Sequence, residues 1–168
     1  TRLVSDWSSD VCSSDLDALD LFYLTAQRIT DTLKMDERDV RNGQLAVHQG
    51  KTGAKRRIEI IGDLKVLIDR IMVRKAGYKI RATRLIVIEN GQPMTYSMLR
   101  SRFDIAREAA GIAKASFQMR DLRAKAATDK EESTGNIREA RDQLGHTTIG
   151  MTENYIRTRK GMKVTPTK

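Results

Sequence analysis

The stretch GQLAVHQGKTGAKRRIEII, residues 43–61, decides the fold class. On both sides of it apolar residues recur at helical spacing, but here they alternate. Leu45 and Val47 fall on one face of the first segment, and Ile58 and Ile60 on one face of the second. GKTGAK between them brings two glycines to a turn, so the stretch reads as a β-hairpin set in an otherwise helical chain. His48, one position before Gln49, reads as a solvent-facing strand residue.

Upstream, Leu16, Leu19, Phe22, Tyr23 and Ala26 predict an amphipathic helix, and Ile29, Leu33 and Met35 a second, shorter one. Downstream, GDLKVLIDRIMVRKAG (62–77) predicts a helix with Leu64, Leu67, Ile68, Ile71 and Met72 on its apolar face and Gly77 as its stop. RLIVIE (84–89) reads as a short buried strand ended by NGQP. From Thr95 the pattern is helical over 95–110, about 120–131, 136–144 and about 148–158, with Ser133, Thr134 and Gly135 as a break. Met94, Met98 and Met119 are expected as core fillers, and the basic C-terminal tail is expected to fray. No internal repeat is visible, and 168 residues suffice for one domain with a real core.

Lys and Arg outnumber Asp and Glu by 31 to 22, a net charge of +9, which points to an anionic partner. Residues 1–16 hold one Arg against three Asp, a net of −2, so the rest of the chain carries +11. Cys12 is the only cysteine, which leaves no disulfide framework and fits a reducing compartment. No apolar run has the length of a membrane span, and the N-terminus lacks the order of a signal peptide, so a cytoplasmic protein is expected.

Two histidines far apart and no carboxylate cluster make neither a zinc set nor a magnesium cage, so no metal or other cofactor is expected. GKT at 50–52 hints at a phosphate loop, but that motif needs glycine at position 45, which is Leu. What stands out is arginine in apolar company. Arg28 sits at a helix junction, and Arg120 and Arg123, three apart, share a helical face. Taken singly, each reads first as a satisfied surface or capping residue. Tyr155 follows LGH (144–146) by nine residues, on another helix.

Taken together, these stretches resemble the tyrosine recombinases, the phage-integrase family. TAQRITDTL is similar to its first arginine box, QGKTGAKRRIEI to its lysine hairpin, FQMRDLRAKAATD to its second arginine box and LGHTTIGMTENYIR to its C-terminal tyrosine box. The motifs stand in the family's order and cover roughly residues 17–160. The resemblance implies an α+β, mainly α catalytic domain with a small three-stranded antiparallel sheet at one side. It implies Tyr155 as nucleophile, Arg28 and Arg123 as phosphate clamps, Lys51 as general acid and His146 as the second-box histidine, with Asp31 orienting its neighbours.

Such a set answers a chemical need. A phenol with a pKa near 10 is a poor nucleophile at neutral pH, and a phosphodiester repels it. Two guanidinium groups neutralise the non-bridging oxygens, and a lysine on a hairpin tip protonates the leaving 5′-oxygen. The implied activity is site-specific recombination or integration through a 3′-phosphotyrosine, on double-stranded DNA with two attachment sites, by a homo-tetramer, with neither small-molecule substrate nor membrane. A non-catalytic DNA-binding remnant of an integrase and a type IB topoisomerase stay open as alternatives. The chain departs from the family pattern at Arg120, where the family usually has histidine, and at Ala26, where it usually has glycine. Arg120 still suits a phosphate and remains a site residue, although a guanidinium cannot serve as a base near pH 7.

DWSSDVCSSDL (6–16) holds the only tryptophan and the only cysteine and has no period of either kind. It reads as a loop with no partner, and its back-translation resembles a sequencing-library adapter. Residues 1–16 are therefore expected to be artefactual or disordered. The recombinase catalytic domain is then residues 17–168, truncated at its N-terminus and without the DNA-binding domain that precedes it in the family.

Overall fold

The computed structural model describes residues 12–161. Most of the Ser- and Asp-rich segment, and the basic tail beyond Gly161, lie outside the described residues. Helix α1 (Ser13–Thr25) leads into the short α2 (Ile29–Thr32) and a 3-10 turn at Glu37–Asp39. Three strands follow, β1 (Val40–Arg41), β2 (Gln44–His48) and β3 (Lys55–Glu59), then five helices: α3 (Gly62–Ala76), α4 (Tyr96–Ala109), α5 (Asp121–Thr134), α6 (Ile137–Leu144) and α7 (Ile149–Lys160). The sheet is antiparallel in the order β1-β2-β3, so the fold is mainly helical with one small three-stranded sheet.

Alternation sets the hairpin. Leu45 and Val47 are buried, while Ala46 and His48, which alternate with them, are exposed, and Leu45 pairs with Ile58 across the ladder. The covered face packs on Leu21 and Phe22 of α1, on Leu64, Leu67, Ile68 and Ile71 of α3, and on Leu99 and Phe103 of α4. Met94 and Met119 join this core, whereas Met98 is half-buried and Met72 of α3 is exposed.

The third strand is not the expected one. Residues 84–89 bury Leu85, Ile86 and Val87 but make only isolated bridges, Asp36 to Arg84 and Val87 to Pro93. Proline has no N–H to extend a ladder, and the segment turns back at once, with Ile88 N–H donating to Gln92. Val40–Arg41 takes the third place in the sheet.

Helix α1 begins at Ser13, so Cys12–Leu16 do not form the partnerless loop that the composition suggests. Asp15 is buried against Arg102 at 2.9 Å, and Ser14 Oγ donates to Glu89 at 2.9 Å. The buried face of α1 runs Ser14, Asp15, Asp17, Ala18, Leu21, Phe22 and Thr25, while Leu16, Leu19 and Tyr23 of the expected apolar stripe are half-buried. Its polar members are tolerated because they are paired. Asp17 lies between Arg70 (2.7 Å) and Arg74 (2.8 Å), whose charges oppose the upward push of burial on its pKa.

Candidate active site

Chain reversals bring the four motifs to one place. Helix α1 ends at Ala26, which adopts the left-handed conformation at φ 53° and turns the chain so that Arg28 caps α2. Glycine takes that conformation without penalty, which gives a physical reason for the residue more usual there. Helices α5, α6 and α7 pack on one another, with Arg123 on α5, His146 just past α6 and Tyr155 on α7.

Arg123 is 5% exposed and donates to the carbonyls of Ala26 and Leu144, both at 2.7 Å, so it ties the end of α1 to the end of α6. Burial, and then the positive charge of Arg28, push its pKa down to about 10 against the opposing pull of Tyr155 and Asp31. Arg28 is held loosely, 3.5 Å from Gln49 Oε1 and 3.9 Å from Asp31 Oδ2. Two guanidinium groups thus share a half-buried site in which Asp31 is the carboxylate paired with Arg28, and that only at long range. An incoming oxyanion relieves this field.

Asp31 is buried, and its other oxygen accepts from Gly50 N–H at 3.0 Å. That bond fastens the base of the β2–β3 turn to α2, three residues past the first arginine, and the exposed Lys51 is the next residue along. Gln49 N–H donates to Ala54 and Gly53 N–H to Gln49, both at 2.9 Å, so the turn is closed beneath the lysine.

His146 is 8% exposed and its Nδ1 lies 3.0 Å from Oγ1 of the fully buried Thr152. Its ring meets that of Tyr155 edge to face, with centroids 5.4 Å apart. Tyr155 is 41% exposed and shares an open hollow with Arg120, Ser116, Phe117, Asp121, Ala124 and Asn154. The structure therefore gathers Arg28, Arg123, His146 and Tyr155 in one cluster, sets Lys51 on a turn tethered to that cluster, and places Arg120 at the N-cap of α5 beside the tyrosine. Among the described residues no group of three metal-ligating side chains occurs, and no helix is long and apolar enough to cross a membrane.

Burial, then the charges of Arg123 and Arg28, push the His146 pKa down to about 4. The unfolded chain then binds more protons than the folded one from about pH 6.5 down through about pH 4, so stability rises with pH across that window and is level above it. His146→Gln is expected to flatten this rise in urea unfolding midpoints. With only two histidines in the chain, an NMR titration separates His146 directly, and a midpoint near 6.5 would refute the account.

Sequence reading missed Gln27, Gln49 and Thr152, all fully buried. Gln49 carried a signal, since it continues the inward parity of Leu45 and Val47 and so had to be a buried polar group. Gly145, the glycine of LGH, ends α6. Its φ is 71°, and a Cβ there would stand 2.4 Å from Gln49 Nε2. Gly145→Ala is expected to cost about 2 kcal/mol or more, from left-handed strain and overlap together, as measured by urea unfolding.

A chain that closes two arginines, a histidine and an exposed tyrosine at one end of a helical bundle, with a lysine turn beside them, has the form of a tyrosine recombinase catalytic domain. The profile of the phage integrase family matches residues 8–162, and the chain belongs to that family. No curated protein sequence matches it. Among solved structures it is similar to a lambda integrase dimer bound to a COC′ core site, with a TM-score of 0.77 and 26% identity over 92% of this chain and 45% of that one. It also resembles a lambda integrase tetramer bound to a Holliday junction, with a TM-score of 0.72 and 23% identity over 88% and 47%. The lambda integrase catalytic core matches with a TM-score of 0.73 and 24% identity over 82% of each chain. The chain spans about half the length of the first two of these relatives.

Proposed function

We propose that this domain cleaves and rejoins duplex DNA in site-specific recombination, with Tyr155 as nucleophile. The observation that carries this reading is the pair of the half-buried Arg28 and the buried Arg123, under-neutralised beside an exposed tyrosine. The two guanidinium groups hold the non-bridging oxygens of the scissile phosphate. Tyr155 Oη attacks phosphorus, the bond to the 5′-oxygen breaks, and a 3′-phosphotyrosine forms. Lys51 gives a proton to the leaving oxygen, and the phenol proton passes to His146 or water. His146 alone is a weak base, chiefly because it is buried, and a phosphate between the arginines offsets only their part in depressing its pKa. Arg120 cannot take a proton and serves instead as a further cation beside the tyrosine. The lambda integrase dimer on its core site and the tetramer on a junction support duplex DNA as substrate and a tetramer as the working assembly.

A nicked duplex whose cleaved 5′-fragment diffuses away tests the reading, since attack then leaves protein bound to DNA. A covalent band on a denaturing gel is the expected result, and its absence at high protein concentration would leave only the remnant reading. Binding itself is expected to weaken steeply with salt and to depend little on sequence, because the net charge of +9 acts through phosphates. A salt titration on two unrelated duplexes checks this, and salt-insensitive binding would contradict it.

A further inference from the structure

We propose that Gln49 is a positioning residue that sets the Lys51 turn against both arginines, an inference that rests on the reading of Lys51 as general acid. The side chain is fully buried, and every donor and acceptor of its amide is engaged. Nε2 donates to Gln27 Oε1 at 2.7 Å and to the Leu144 carbonyl at 2.9 Å. Oε1 accepts from Thr52 Oγ1 at 2.8 Å and, at 3.5 Å, from Arg28 Nη1.

These partners belong to different motifs. Thr52 follows Lys51 on the turn, Arg28 is the first clamp, and the Leu144 carbonyl is the one that also receives Arg123. Gln27 continues the chain of amides by donating to the Gln143 carbonyl at 2.7 Å. The backbone of Gln49 closes the turn on both sides, through Ala54 and Gly53. One residue therefore roots the lysine turn, and its side chain reaches the floor on which both guanidinium groups sit. Gly145 leaves the room in which that amide lies. An apolar side chain of similar length could fill the space, but it would leave the turn without its fixed bearing on the clamp.

The test exploits leaving-group chemistry. When sulfur replaces the bridging 5′-oxygen, the P–S bond breaks to a thiolate, which needs no proton, so a defect in delivering the general acid disappears while a defect in the clamp remains. Single-turnover cleavage is measured for Gln49→Met, Thr52→Val and Lys51→Ala on both substrates. Gln49→Met is expected to lose about tenfold or more on the ordinary substrate, the equivalent of one lost charge-orienting hydrogen bond, and to recover most of it on the bridging-sulfur one. Thr52→Val is expected to move the same way by about threefold, and its exposed position makes it the decisive variant should Gln49→Met fail to fold. Unchanged cleavage in both variants, or equal loss on both substrates, would overturn the proposal. If Lys51→Ala does not recover on sulfur, the general-acid assignment falls and the proposal with it. If Lys51→Ala recovers and neither Gln49→Met nor Thr52→Val does, only the positioning role falls.

Discussion

Tyr155→Phe is expected to form no covalent complex with DNA while keeping its affinity within about twofold of the parent. The substitution removes one oxygen and no packing. The ring of Tyr155 meets His146 edge to face, a contact that phenylalanine reproduces, and the side chain is exposed enough that losing the hydroxyl leaves no buried group unpaired. Stability should therefore hold, and the loss should appear only in the denaturing gel. A covalent band from the Phe variant would show that another residue attacks.

Arg28→Ala and Arg123→Ala are each expected to slow cleavage by at least about a hundredfold, because a charge-assisted donor aimed at the developing phosphorane contributes several kcal/mol to the transition state. Stability should separate them. Arg28 makes only long contacts to Gln49 and Asp31, so its loss should cost less folding stability than that of Arg123. Arg123 is buried and joins the Ala26 and Leu144 carbonyls, so its loss should cost about 1–3 kcal/mol as well. Single-turnover rates and urea midpoints measure the two effects independently. Near-normal cleavage in both variants would remove the clamp from the account.

The architecture was legible where one physical signal dominated. The change from helical to alternating spacing at Leu45, Val47 and Ile58 gave the hairpin, and Gly135 and Gly145 ended helices where the left-handed conformation was needed. Reading failed where a segment's apolar content did not reveal its hydrogen bonding. Residues 84–89 are as buried as any strand, yet Pro93 and the tight return deny them a ladder. It failed again on α1, where Asp15 and Asp17 face inward because arginines from distant helices meet them, and Ser14 because Glu89 accepts from it, which no local pattern encodes. In the site, the charged residues could be named from the motifs, but of the uncharged frame only Gln49 left a trace, in its inward parity, since the partners that Gln27 and Gln49 hold lie 116 and 95 residues away in the chain.

The atom that attacks the phosphate decides the chemistry of this domain. Protease digestion of the trapped protein–DNA complex, followed by mass spectrometry of the nucleotide-bearing peptide, identifies that atom's residue directly. The predicted result is a 3′-phosphate linkage on the peptide of α7 that contains Tyr155, with fragment ions placing it on the tyrosine ring oxygen. A linkage on any other residue, or through a 5′-phosphate, would contradict it.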